Sequence, residues 1–180
     1  MRISELSVLS SCLLALIVLI STTEGSSAAE TDLGRPATSD DIAAIDISIP
    51  PDGEGLPPGS GDVVTGKFVY MQKCASCHAE DGKGKPADTL AGGTGSLASD
   101  EPVKTVGSFW PYATTLFDYI RRGMPLNAPM SLTDDEVYAV TAYLLAINGI
   151  VSTDQTLDAG SLPAVRMPNR DGFIDRSGVQ

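Results

Sequence analysis

Two cysteines and a histidine stand together in the stretch KCASCHAEDG, as Cys74, Cys77 and His78. Three chemistries use such a set. A dithiol would cycle between thiol and disulfide, and a zinc ion would take thiolates and imidazole as ligands. A haem would be clamped through two thioethers with the imidazole on its iron. His78 is the only histidine of the chain, and the one other cysteine is Cys12.

The surroundings separate the three. A redox dithiol of the thioredoxin kind opens a helix after a strand. Here the motif closes a helical pattern, DVVTGKFVYMQKC, with no alternating strand run beside it. A structural zinc site wants four ligands, and apart from Cys12 the chain offers three, all inside one short stretch. The haem reading uses every member of the set. Cys74 and Cys77 would take the vinyl groups and His78 the iron, so a sixth ligand would have to come from something other than histidine.

Four methionines follow the N-terminal segment: Met71, Met124, Met130 and Met167. Met71 precedes the motif on the same helix and is unable to reach the opposite haem face. Met167 would need the tail to fold back. Met124 sits in RRGMPLNAPM, directly after a helix stop and before Pro125, where a non-helical segment can hold a thioether at fixed height. It is the expected distal ligand, with Met130 the near competitor. Ligation by His and Met raises the reduction potential and suits electron transfer, whereas an open site suits gas binding or activation.

The elements that must position these groups are helical. One helix runs from about Asp62 into Cys74. A second, TTLFDYIRRG, is expected to start at Thr114 or Thr115 and to stop at Gly123. The third has a capping box in Thr133 and Glu136, a mostly apolar body VYAVTAYLLAI, and a stop at Asn148–Gly149. Residues 79–113 form a long loop rich in Gly, Pro, Ser and Thr, which at that length should be functional or wrap something. Residues 30–59 read as an extended arm, 60–150 as the folded domain and 151–180 as a polar tail. The fold class is therefore all-α, with three to four helices, and so thin a core favours a cofactor as staple.

Residues 1–29 have the layout of a secretory signal: Arg2, the apolar run LSVLSSCLLALIVLI, then small residues up to Ala28 and Ala29. The apolar run is shorter than the roughly 20 residues that span a bilayer. The expected location is periplasmic, without membrane attachment after cleavage. A net charge of −11 excludes nucleic acid as a partner and suits a basic protein surface instead.

These residues resemble a class I cytochrome c. GKFVYMQKCASCHAEDGKG is similar to that family's first helix and MSLTDDEVYAVTAYLLAING to its last, which implies that Gly66 and Tyr70 meet Tyr138 and Tyr143 where the two helices cross. The resemblance also implies one covalent haem c and a proline carbonyl holding the His78 ring, with Pro86 the candidate. It further implies a pocket built from GSFWPYATTLFDYI, in which Trp110 and Tyr112 would donate to propionates. Arg121 and Arg122 would pair with propionates or a partner, or complement the end of their helix.

A narrower resemblance runs from residue 31 to 176, through LPPGSGDVVTG, LAGGTGSL and MPNRDGFI. It is to cytochrome subunits paired with molybdenum sulfur-compound dehydrogenases: the dihaem subunit of sulfane dehydrogenase and the monohaem subunit of sulfite dehydrogenase. The single CxxCH of this chain favours the monohaem type. This resemblance implies an electron-accepting cytochrome, itself without bond chemistry, passing electrons to a downstream cytochrome or oxidase. A freely diffusing shuttle and an open-site haem sensor or enzyme are the alternatives. A dedicated enzyme partner predicts that the arm and tail wrap that enzyme; a shuttle predicts that they pack on their own domain.

Overall fold

The structure, a computed structural model, describes residues 34–174; the expected signal segment and Cys12 lie outside them. The chain divides into two units, Met1–Ile42 and Ala43–Gln180. The described part of the first is a polar stretch in which Arg35 and Asp41 form a 2.6 Å ion pair. Helix α1, Ser39–Ile45, carries Asp41 in its first turn and buries no residue.

In the second unit the helical pattern of the sequence is realised as α2 (Val63–Lys73), α3 (Ala75–His78), α4 (Ala113–Gly123) and α5 (Asp134–Ile147). Each long helix starts for a local reason. Asp62 caps α2 by accepting the Thr65 N–H at 2.7 Å. Thr133 and Glu136 form the expected box on α5: the Thr133 hydroxyl accepts the Glu136 N–H, and the Glu136 carboxylate accepts the Thr133 N–H. Helix α4 differs from expectation. It begins at Ala113 with Tyr112 at the cap, and neither threonine caps it. The Thr114 hydroxyl donates outward to the Pro51 carbonyl at 3.0 Å, and that of Thr115 back to the Tyr112 carbonyl at 2.9 Å.

Helix α5 is buried on every side from Val137 to Leu145, which makes it the axis of the domain. Helix α2 crosses it at Gly66. A Cβ at that position would lie 2.9 Å from Tyr143 Cβ and would run into the Ala139 carbonyl. Gly61 lies against the same residue; its Cβ would be 2.5 Å from Ala139 Cα. Tyr70 and Tyr143 pack beside the crossing with ring centroids 5.1 Å apart, and Phe117 brings in α4 by packing on Tyr138 at 4.5 Å. Lys73 and Glu136, 3.0 Å apart, tie the end of α2 to the start of α5.

Two strands of three residues, which the sequence pattern did not reveal, join the flanks of the helices. Strand β1 (Ser60–Asp62) pairs antiparallel with β2 (Thr156–Asp158), with Gly61 opposite Leu157. Through it the tail returns to the domain, and Leu157, Leu162 and Met167 are buried in the core. The later part of the arm does the same. The Ile49 N–H donates to Asp118 at 2.9 Å, and the Tyr138 hydroxyl donates to the Pro57 carbonyl at 2.9 Å. Ile49 and Pro57 of the arm and Thr156–Asp158, Leu162 and Met167 of the tail thus make contacts within this unit. Among the described residues no helix is long and apolar enough to cross a membrane.

Gly66→Ala should cost more than about 3 kcal/mol in thermal or denaturant unfolding, because the obstacle is backbone and cannot rotate away; a change under about 1 kcal/mol would contradict this crossing. Asp118, 8% exposed, accepts the Ile49 N–H and is bridged by Arg122. Burial opposes its ionisation, but the hydrogen bonds from Arg122 and Ile49 and the charges of Arg122 and Arg121 outweigh it, so its carboxyl sits below the ordinary aspartate range. A depressed folded pKa contributes stability above the unfolded value, near 4, and loses it as pH falls through the folded value. Asp118→Ala should therefore cost about 1–3 kcal/mol at pH 7, and the gap between the two melting curves should close below about pH 4.

Candidate haem site

The CxxCH motif is wound at the end of α2. The Cys74 N–H still donates to the Tyr70 carbonyl at 2.9 Å, and the Cys77 and His78 N–H groups both donate to the Cys74 carbonyl, at 3.1 and 3.0 Å. The turn ends at Ala79, whose φ of +61° breaks the helix. There the Tyr70 hydroxyl donates to the Ala79 carbonyl at 2.8 Å, joining the helix-crossing aromatic to the exit of the motif. Burial, with smaller effects from Cys74, Tyr143 and Asp81, holds the Tyr70 phenol well above the usual tyrosine range. It remains a donor at any ordinary pH.

The long loop folds back over the motif. The Gly84 N–H donates to the His78 carbonyl at 3.0 Å and the Ala87 N–H to the Cys77 carbonyl at 2.8 Å. The loop is in turn pinned to the end of α5 by one side chain. Asn148 donates to the carbonyls of Leu90 (3.1 Å) and Leu144 (2.8 Å) and accepts the Gly92 N–H at 2.9 Å. The sequence pattern marks Asn148 only as a helix stop.

The same loop orients the His78 ring. Nδ1 lies 2.8 Å from the Asp88 carbonyl, in place of the Pro86 carbonyl expected from the resemblance. A carbonyl can only accept, so Nδ1 is the donor here and Nε2 is the nitrogen left for a ligand bond. A backbone acceptor leaves no trace in residue type, which is why the sequence could not locate it.

Cys74 is half-buried and Cys77 exposed, and both thiols are free. Burial, opposed by Lys73 and reinforced by Cys77, pushes the Cys74 thiol up to about 11. Met124 is the C-cap of α4: its N–H donates to the Ile120 carbonyl at 3.1 Å, and its half-buried side chain packs against the core, as Cys74 does. The other methionines are placed differently. Met130 is 62% exposed with φ +62°, Met167 is core, and Met71 faces outward on α2.

Trp110 is half-buried and edge-on to Tyr119 at 5.6 Å, and the Arg170 guanidinium lies 4.3 Å over the Tyr112 ring. Asn169 adds a bond to the Phe109 carbonyl at 2.8 Å, so the tail braces the aromatic segment 109–112. Arg122 bridges Asp118, and Arg121 donates to Asp134 at 3.1 Å and to the Ile47 carbonyl at 3.3 Å. Both arginines are thereby engaged within the domain.

This donor set fits a covalent haem. It has two free thiols one helical turn apart, an imidazole whose Nε2 makes no hydrogen bond among the described residues, and, at the end of α4, a half-buried thioether packed on the same core. It fits zinc poorly, since among the described residues no three His, Cys, Asp or Glu side chains converge to hold a metal ion.

Comparison with known proteins agrees. Residues 63–148 match the Cytochrome c family. The crystal structure of the sulfane dehydrogenase SoxCD from Paracoccus pantotrophus matches with a TM-score of 0.75 at 44% identity, covering 82% of this chain and 73% of that one. A thiosulfate dehydrogenase of Stutzerimonas stutzeri (strain A1501) is 33% identical over 93 residues, which are 49% of this chain and 28% of that protein. The chain thus spans less than a third of that curated relative. This chain belongs to the cytochrome c family. Its cofactor is a covalently bound haem c, and its homology is to the cytochromes of sulfur-compound dehydrogenases.

Proposed function

We propose that this protein is an exported, periplasmic monohaem cytochrome that accepts single electrons from a molybdenum-dependent sulfite, sulfane or related sulfur-compound dehydrogenase. The observation that carries the reading is the 44% identity to the sulfane dehydrogenase structure over 82% of the chain, a span that includes more than the helical domain alone. In this reading Cys74 and Cys77 hold the haem as thioethers, and His78 Nε2 and the Met124 sulfur ligate its iron. Trp110 and Tyr112 offer N–H and O–H donors to the propionates. The bound haem supplies a one-electron couple. The chain's own residues keep the ligands fixed: Asp88 holds the imidazole, Tyr70 the exit of the motif, and the end of α4 the methionine.

A freely diffusing shuttle is the second reading, supported by the arm and tail residues that bond within their own domain. Both readings share the same ligands and differ in how long the partner stays.

Met124→Ala in the purified haem protein should abolish the weak long-wavelength band that marks a methionine–ferric iron bond, and Met130→Ala should retain it. The reverse pattern would move the ligand to Met130, and a wild-type protein without the band would indicate an open site. For the partner, the haem should be reduced within seconds by substrate-reduced P. pantotrophus sulfane dehydrogenase. Reduction no faster than in a control lacking enzyme would remove the dehydrogenase reading. Sedimentation of the mixture then separates a lasting complex from a shuttle.

A further inference from the structure

Helix α2 has a second apolar face. Its inner side, Val63, Gly66, Val69 and Tyr70, is buried, as the crossing with α5 requires. Its outer side carries Val64, Phe68 and Met71 at i, i+4 and i+7, the spacing of a continuous stripe, and these residues are 77%, 64% and 39% exposed. No carboxylate occurs from Val63 to Lys73, and Lys67 stands within the stripe, in a chain whose net charge is −11. Single exposed apolar residues are ordinary, but three in register on one helix are not.

We infer that this stripe is the seat of a redox partner protein, one presenting a small apolar face with a carboxylate opposite Lys67. The inference rests on the electron-transfer reading above and names where the electron donor would sit. Position supports it. The stripe ends at Met71, three residues or about 4.5 Å of helix rise before Cys74, so a protein seated there lies beside the haem-bearing turn.

Size selects the kind of partner. The three side chains expose on the order of 300 Å² of surface, well short of the roughly 800 Å² per partner of a stable interface and in keeping with brief electron-transfer contacts. A second copy of this chain fits poorly. Two-fold pairing about Phe68 would set Lys67 near its own mate and bring together two chains of −11 each.

The test uses the haem-loaded chain and the double variant Val64→Gln, Phe68→Gln, whose exposed positions and helix-compatible replacements leave the core intact. Stopped-flow reduction by substrate-reduced P. pantotrophus sulfane dehydrogenase should slow about tenfold or more in the variant. Reduction by a small hexaammineruthenium complex, which needs no docking face, should stay unchanged. Lys67→Glu should slow the enzyme reaction at low salt and lose that effect at high salt. If wild type reacts with the enzyme and the double variant matches it, the docking face is wrong while the dehydrogenase reading stands. If wild type takes no electrons from the enzyme, that reading fails and the proposed occupant with it. If wild type sediments as a dimer and the variant as a monomer, the occupant is a second copy and the inference is overturned.

Discussion

The Ala139 carbonyl occupies the space that any side chain at position 66 would need. That single exclusion fixes how close α2 comes to α5, and the rest of the domain is arranged around it. With the two backbones in contact, Tyr70 reaches Tyr143 on one side, and its hydroxyl reaches Ala79 at the end of the CxxCH turn. With Gly61 against the same alanine, the chain can enter as a strand and hold the returning tail. A glycine in a helix interior costs about 1 kcal/mol of intrinsic propensity. The approach it permits positions both the core and the site, which is sufficient reason for it to be there.

The site itself is held more by main chain than by side chains. The loop after His78 has little regular structure, yet its N–H groups cover the carbonyls of Cys77 and His78, and its Asp88 carbonyl sets the tautomer of the ligand ring. Such a loop is rigid only if it is pinned, and Asn148 ties it to the end of α5 by two hydrogen bonds, to Leu90 and from Gly92, while a third to Leu144 anchors the amide on its own helix. The tail does the corresponding work at segment 109–112 through Asn169 and Arg170. Polar side chains that look like helix stops or surface decoration are therefore what makes an irregular segment into a wall.

The same division between local and distant contacts explains what the sequence displays. The long helices were legible because capping and apolar spacing are local: Thr133 with Glu136 announced α5, whereas the crossing at Gly66 was implied by the family resemblance, and the short α1 lies in a stretch that reads as an extended arm. Free cysteines and a lone histidine announced the chemistry by elimination. The two strands were not legible, since three residues are too few for alternation to show. The acceptor for His78 is a backbone carbonyl, which any residue type would supply. The start of α4 was misplaced for a related reason: Thr114 looks like a cap but turns its hydroxyl to Pro51, a contact 63 positions away. Long-range partners decided these cases, and a single sequence does not display them.

Charge and contact divide the labour on the surface. Several carboxylates are already committed inside the domain, Asp118 to Arg122 and Ile49, Asp135 to Ser60, Glu136 to Lys73 and the α5 cap. They still contribute to the long-range field of a strongly acidic protein, which draws in a basic partner whatever face it first meets. Final contact has a different requirement. Carboxylates pressed into an interface must be stripped of water or paired one by one, whereas the outer face of α2 carries none and loses little hydration on being covered. An acidic body that steers and one carboxylate-free helix face that seats are compatible with fast arrival and fast release, and an electron carrier needs both.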